Sequence, residues 1–462
     1  MCGIVGMVSS TDVSYSLYYA LYALQHRGQD SAGIVTTNYG PLQSHRGLGL
    51  VASVFDEKIL AVLTGTVGIG HVRYPTTGLS STENVQPFSF TFKNHHLALA
   101  HNGNITNYLA LHQMFEENGQ SFLTTSDTEV IAKIIIDELS QEHTVEDAIR
   151  RCMRTLEGSY SVVLLLDGCL HAFRDPYGFR PLCLGHTKSG EVIVASESAA
   201  IDGIGGVLDR DIMAGEMITV SKNGDIHSVI CAKAEHTAHC IFEYIYFARS
   251  DSIIDGALVY DVRRFIGSAL ADEAPADAEV VCTVPDSGTA YAVGYSERST
   301  IPFVECLIKN RYMGRTFIIP TQETREKAVR IKLNPIPAHL DQRSIVLVDD
   351  SIVRGTTSCR IVDSLRKAGA AEIHMRIGSP IIKAPCYFGV DMPTHSELIG
   401  SSKDCEGICE QIQATSLHYA SLQALVDAIG ISEADLCTGC ITSVYPYPVK
   451  TGQCHRRHVQ YT

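Results

Sequence analysis

Residues 345–358 read "IVLVDDSIVRGTTS", and this stretch decides how the second half of the chain folds. Ile345 to Val348 form an unbroken apolar run, the pattern of a strand buried on both faces of a parallel sheet. Asp349 and Asp350 then arrive at the strand's C-terminal edge, where open α/β sheets bind their ligands. Beyond the acids, Ile361, Val362 and Leu365 recur at helical spacing, and Gly369 offers a C-terminal stop. The intervening "SIVRGTTS" supplies small residues, hydroxyls and backbone N–H groups at a helix start, a cradle suited to a phosphate. Gly355 lets the backbone approach such a ligand closely.

An earlier segment, "EVVCTVPDSGTAYAVGYS" (279–296), repeats the order strand, loop, helix, so the region after about residue 231 reads as a parallel α/β sheet. The first half has a different pattern. Its runs "GEMITV" and "DIHSVI" flank Asn223-Gly224, a pair suited to a type I′ hairpin turn. "SLYYALYALQ" and "TEVIAKIIIDEL" carry the dense apolar periodicity of helices packed on sheets. The expected division is a layered α+β domain over residues 1–230 and an α/β domain over 231–462.

With 462 residues, 45% of them hydrophobic and 19% charged, the chain has ample material for two or three cores. A net charge of −14 argues against a nucleic-acid or membrane surface, while leaving room for a local cationic pocket. No apolar run is long enough to span a bilayer, and "MCGIVGMVSS" lacks the basic start of a signal peptide, so a cytoplasmic address is expected. In that compartment the 15 cysteines read as reduced thiols, catalytic groups or metal ligands.

Cys2 is the first candidate nucleophile. Removal of Met1 would put a thiol and an α-amine on one residue. Their ordinary pKa values lie within about one unit of each other, so the amine can take the thiol's proton near neutrality. "MCGIVG", "QHRGQDSAGI", "GIGHVRYPTTG", "AHNGNITN" and "TSDTEV", in this order, resemble the glutaminase domain of class II amidotransferases, which are four-layer N-terminal nucleophile hydrolases. The resemblance implies that Cys2 attacks, that Asn102's side chain and Gly103's backbone N–H form the oxyanion hole, and that Arg73 and Asp127 grip glutamine's carboxylate and ammonium. His26 and Arg27 are assigned to the same glutamine site as supports of Cys2. Methionine removal is the only maturation step expected.

"IVLVDDSIVRGTTS" in turn resembles the phosphoribosylpyrophosphate (PRPP) motif of type I phosphoribosyltransferases. By that resemblance Asp349 and Asp350 hold ribose hydroxyls, and Ser351, Arg354, Gly355, Thr356 and Thr357 cradle the 5′-phosphate. Asp286 and Ser287 lie near the pyrophosphate, and Mg2+ is held by Ser287, Asp349 and Asp350. The run from Lys309 through Arg311, Arg315, Arg325, Lys327, Arg330 and Lys332, with Tyr312 and Phe317 interleaved, resembles the lid that closes over PRPP.

Cys437 and Cys440 form a C-x-x-C pair that by spacing alone could bind zinc, do redox chemistry or lie idle. Taken as a whole the chain resembles the iron–sulfur branch of the glutamine PRPP amidotransferase family. That resemblance adds Cys240 and Cys386 as ligands of a 4Fe-4S cluster; Cys405 and Cys409 fall outside its pattern. It implies ammonia transfer from glutamine to PRPP, giving 5-phosphoribosylamine, glutamate and pyrophosphate at the first committed step of purine synthesis. It further implies an internal ammonia passage, purine-nucleotide feedback inhibition and a homotetramer. The rival reading is a catalytically silent PRPP or nucleotide sensor, against which the intact Cys2, Arg73, Asn102 and Asp127 count.

Overall fold

The computed structural model describes residues 1–74, 81–310, 333–392 and 394–449. In the first half, strand periodicity translates directly into layers. Along Gly3–Val8, Val5 and Met7 pack with the helix Ser14–Ala23, while Ile4 and Val8 face the opposite way. Along His95–Ile105, Ala98 and Ala100 meet Ile4 and Val8, whereas Leu97 and Leu99 pack beneath the helices Thr128–Ser140 and Val145–Thr155. Alternating residues of two sheets therefore fill three successive cores, and the stack is helix, sheet, sheet, helix. The central core is lined by small and β-branched side chains, which let the two sheets close on one another.

The first sheet has seven strands with Gly3–Val8 at its centre, and the second has six with His95–Ile105 between Phe88–Phe92 and Gly158–Leu166. The hairpin predicted after residue 215 forms from Glu216–Val220 and Ile226–Ile230. Its turn differs from the type I′ expectation. Ser221 N–H donates to Asp225 O and Gly224 N–H to Ser221 O, and only Gly224 (φ +84°) of the Asn-Gly pair has positive φ. This is a three-residue loop with a glycine bulge; the type I′ turn would need both residues left-handed.

The second half contains the parallel sheet. Val280–Thr283, Ser344–Asp349, Glu372–Ile377 and Ser416–Tyr419 pair in that order, all parallel. Val281, Val346 and Val348 pack with the helices Val259–Glu273 and Thr289–Ser299, and Val280, Ile345 and Leu347 pack with Thr356–Lys367 on the other face. Covering both faces is what the unbroken apolar run required.

The halves meet through buried polar contacts. Arg174 pairs with Asp255 at 2.7 Å, Asn104 Nδ2 donates to Tyr387 O at 2.8 Å, and Ser159 Oγ donates to Phe388 O at 2.7 Å. Tyr74 O–H donates to Asp391 at 3.0 Å.

Candidate active site

Strand register brings the predicted nucleophile to its predicted partners. Gly3 pairs with Val72 in an antiparallel ladder, so Cys2, one residue earlier, lies beside Arg73, one residue later. Arg73 is buried and sits 3.2 Å from Asp30. Cys2 is also buried, and its Sγ lies 3.7 Å from Tyr74 O.

The second sheet supplies Asn102 and Gly103. Asn102 Oδ1 accepts from Cys2 N–H at 3.0 Å. Its Nδ2 is buried with no hydrogen-bond partner among the described residues. A buried amide donor left unsatisfied is costly, and such groups in native folds call for a partner that comes and goes. Beside it, Gly103 admits no side chain, because a Cβ there would stand 1.9 Å from Ser159 O. Asn102 thus stands beside the Cys2 backbone, with Gly103 next to it.

Asp127 precedes the helix Thr128–Ser140. One of its oxygens accepts Ile105 N–H at 3.0 Å and the other lies 3.9 Å from His101 Nδ1. Burial, the largest cause, holds the His101 imidazole below its ordinary pKa, so it adds no cation to compete with a ligand ammonium at physiological pH.

Arg27 lies behind Cys2. Its Nε–H donates to the Cys2 carbonyl at 2.9 Å, and its remaining nitrogens meet Glu197 at 2.5 Å and Glu243 at 2.9 and 2.8 Å. His26 pairs with Glu197 at 2.7 Å. Arg27 therefore braces the Cys2 backbone, and His26 reaches it only through Glu197. Glu197 and Glu243 were not found by sequence reasoning. Glu243 lies in the stretch "HCIFEYIYFARSDS" (239–252), but nothing local in sequence points from it to a residue 216 positions away.

In the second half Asp349 ends its strand and Asp350 follows, both buried. Burial first, and then the neighbouring Asp350 carboxylate, push Asp349 well above the ordinary carboxylate range. A cation or a set of ligand hydroxyls would relieve that stress. Ser287 and Ser351 both hydrogen-bond the Asp350 carboxylate, which gathers the predicted Mg2+ residues at one point. Asp286 pairs with Lys309 at 2.6 Å. Gly355 adopts φ +73° where the loop enters the helix Thr356–Lys367, so Thr356 and Thr357 open that helix with their N–H groups free of intrahelical bonds. Arg354 is half-exposed and paired with Glu397. The lid residues Arg311, Tyr312, Arg315, Phe317, Arg325, Lys327, Arg330 and Lys332 lie outside the described residues.

The four predicted cluster cysteines converge. Cys240 and Cys437 are register partners in a short parallel pair, Ala384 N–H donates to Cys440 O, and Phe388 N–H donates to Cys386 Sγ at 3.4 Å. Burial, and then the charges of the other three, push the Cys440 thiol well up. An aromatic sheath surrounds them, with Phe179 stacked on Phe388 at 4.3 Å and Tyr387 against Tyr445 at 4.9 Å. Among the described residues no three His, Cys, Asp or Glu stand close enough to hold a single metal ion.

Cys2 beside Asn102, whose buried amide nitrogen has no partner among the described residues, in one half, and an acidic strand end leading through a glycine loop into a helix start in the other, fit a glutamine amidotransferase coupled to a phosphoribosyltransferase fold. The comparisons with known proteins agree. A family model described as a glutamine amidotransferase domain matches residues 71–203. The amidophosphoribosyltransferase of Methanothermobacter thermautotrophicus is 51% identical over 97% of this chain and 95% of its own length. That of Archaeoglobus fulgidus is 47% identical over 98% of this chain and 100% of its own. Among solved structures, the B. subtilis glutamine PRPP amidotransferase complexed with ADP and GMP superposes with a TM-score of 0.91 at 42% identity, covering 97% of this chain and 98% of that one. The chain belongs to the amidophosphoribosyltransferase family.

Proposed function

We propose that residues 1–230 hydrolyse glutamine at Cys2 and that residues 231–462 pass the ammonia to PRPP at the Asp349–Asp350 strand end, giving 5-phosphoribosylamine and pyrophosphate. The observation that carries this reading is the divided role of Asn102, whose oxygen is fixed by Cys2 N–H while its nitrogen is buried and unanswered. An oxyanion formed when the thiolate attacks an amide carbonyl would be that nitrogen's partner, with Gly103 N–H as the second donor. Each such donor is worth about 3 kcal/mol in the transition state.

Before Met1 is removed the Cys2 nitrogen is an amide; afterwards it is the amine that takes the thiol proton. The amine gives that proton to the amide nitrogen as the C–N bond breaks, so ammonia leaves as NH3 and a thioester forms, and water then cleaves the thioester to glutamate and the free thiol. Arg73 and Asp127 hold the substrate's two charged ends.

In the second half, Asp349 and Asp350 bind the ribose hydroxyls, and Ser351, Arg354, Gly355, Thr356 and Thr357 hold the 5′-phosphate. Mg2+, held by Ser287, Asp349 and Asp350, would neutralise the departing pyrophosphate. The clustered carboxylates and hydroxyls are hard oxygen donors, which fit that ion. The thiols of Cys240, Cys386, Cys437 and Cys440 fit a 4Fe-4S cluster, whose four metals need wider-spaced ligands than one ion does, and which would act as a structural staple.

An internal ammonia passage, purine nucleotides as feedback inhibitors, a homotetramer and a cytoplasmic location complete the proposal. The B. subtilis relative's complex with ADP and GMP supports the inhibitors. Among the described residues no helix is long and apolar enough to cross a membrane. Incubation with glutamine, PRPP and Mg2+ should yield glutamate and pyrophosphate in equal amounts; a silent sensor would bind PRPP and yield neither.

A further inference from the structure

Two arginines and two glutamates, all buried, form a neutral quartet behind the nucleophile: Arg27, Arg180, Glu197 and Glu243. Three come from the glutaminase half. The fourth, Glu243, opens the π-helical turn Glu243–Phe247 of the other half, three residues after Cys240. Its carboxylate takes both terminal nitrogens of Arg27, at 2.9 and 2.8 Å, and one of Arg180 at 3.2 Å. A bidentate arginine–carboxylate pair fixes orientation as well as charge. Arg27 so held presents its Nε–H to the Cys2 carbonyl at 2.9 Å. Arg180 so held reaches the Phe388 carbonyl, which also accepts from Ser159 Oγ at 2.7 Å. Ser159 is the residue whose carbonyl lies against Gly103.

We infer that Glu243 is a positioning residue for the glutaminase reaction, a carboxylate lent by the phosphoribosyltransferase half that sets the backbone of Cys2 through Arg27. It touches neither glutamine nor the thiol. With Glu243 in place, the peptide group of Cys2 is held between Arg27 Nε–H on its carbonyl and Asn102 Oδ1 on its N–H. Without its charge, Arg27 keeps only Glu197 and Arg180 loses the carboxylate it pairs with, and the surplus buried cation draws Arg27 away from the Cys2 carbonyl. Glutamine cleavage thereby depends on a residue that moves with the ammonia acceptor's domain.

This inference rests on the glutaminase reading of Cys2, and one set of measurements separates the two. In the full chain, Glu243→Gln should lower kcat for glutamine hydrolysis on the order of 100-fold, the cost of a small misplacement of a reacting group. KM for glutamine should stay within about twofold, because uniform substrate binding is untouched. Synthesis from ammonium and PRPP should persist within about twofold, and iodoacetamide should label Cys2 more slowly, followed on the N-terminal peptide by mass spectrometry. Glu243→Asp, which restores the charge, should recover part of the hydrolysis rate. Hydrolysis by Glu243→Gln at the parent rate, or loss of ammonium-dependent synthesis by the same factor, overturns the inference. Should Glu243→Gln not fold, Glu243→Asp decides, and its hydrolysing glutamine at the parent rate overturns it equally. A parent chain that makes 5-phosphoribosylamine from ammonium but never hydrolyses glutamine would instead sink the reading of Cys2.

Discussion

At the scale of single residues, the site is a set of groups whose ordinary needs are left partly unmet. Asn102 is fully buried, yet its amide nitrogen has no partner among the described residues. Replacing it by Ala removes the oxyanion donor and also the acceptor of Cys2 N–H, so kcat for glutamine hydrolysis should fall about 100- to 1,000-fold with ammonium-dependent synthesis intact. Steady-state assays with each nitrogen source check this, and an equal loss with both would refute a separate glutamine site. Cys2→Ala should abolish glutamine-dependent synthesis and spare the ammonium-dependent reaction in the same way. The sequence pointed to Cys2, Asn102, Gly103, Arg73 and Asp127 because the ordered motifs that carry them resemble those of a known glutaminase domain. It was silent on Glu197 and Glu243. Their meaning comes from Arg27, 170 and 216 positions away, and a charge partner at such separation leaves no local pattern.

At the scale of elements, strand ends do the chemical work and strand interiors supply stability. Asp349 and Asp350 sit where their strand leaves the parallel sheet. Asp349→Asn or Asp350→Asn should therefore raise KM for PRPP and lower kcat with either nitrogen source, because both sources meet the same ribosyl site; unchanged PRPP kinetics in both variants would remove the assignment. The apolar run before the acids made this strand legible, and the alternating runs of the first half marked its strands less sharply, since period-two patterns do not reveal which sheet a strand joins. The Asn223-Gly224 turn departs from its expected type for a related reason: loop length, set by which residues pair across the hairpin, chose the turn. Stability has its own signature in the second sheet. His171 is buried against Thr219 at 2.9 Å, and burial brings its pKa from 6.5 to about 4. The folded state binds this proton less readily than the unfolded chain does. The neutral imidazole's contribution is thus intact above pH 6.5 and is lost progressively as pH falls from 6.5 toward about 4. Urea unfolding at pH 7 and pH 5 should show that loss, amounting to about 2 kcal/mol. Asp175, raised by burial to about 6, loses stability in the opposite direction as pH rises, so the test compares parent with His171→Asn. The variant should show a shallower fall, and an identical slope would mean His171 takes up its proton without unfolding.

For the whole molecule, the question is what holds the two halves in register while ammonia passes between them. The join includes residues 386–392 and the turn after Cys240, and both begin at cysteines. Cys386 lies beside Tyr387 and Phe388, whose carbonyls accept from Asn104, Ser159 and Arg180. Cys240 stands three residues before Glu243 and pairs with Cys437 through a ladder of only two residues a strand, too short to persist unaided. The reaction moves no electrons, so the proposed 4Fe-4S cluster on Cys240, Cys386, Cys437 and Cys440 would have mechanical work to do, tying the C-terminal region to the two segments that meet the first half. Anaerobically purified protein should contain about four iron and four sulfide per chain and absorb in the visible, and Cys437→Ser should lose both. The staple's position sets the order of failure. Tyr387 and Phe388, next to Cys386, accept from Asn104 and Ser159, and Glu243, three residues after Cys240, holds Arg27, while Asp349 ends a strand paired on both sides within the parallel sheet. Glutamine-dependent synthesis should therefore decay before ammonium-dependent synthesis when the cluster is bleached by air, and limited proteolysis should cut first near residues 385–392 and 436–449. Stoichiometric zinc without sulfide, or a Cys437→Ser protein as stable and as active with glutamine as its parent, would defeat the staple and leave the two catalytic sites standing.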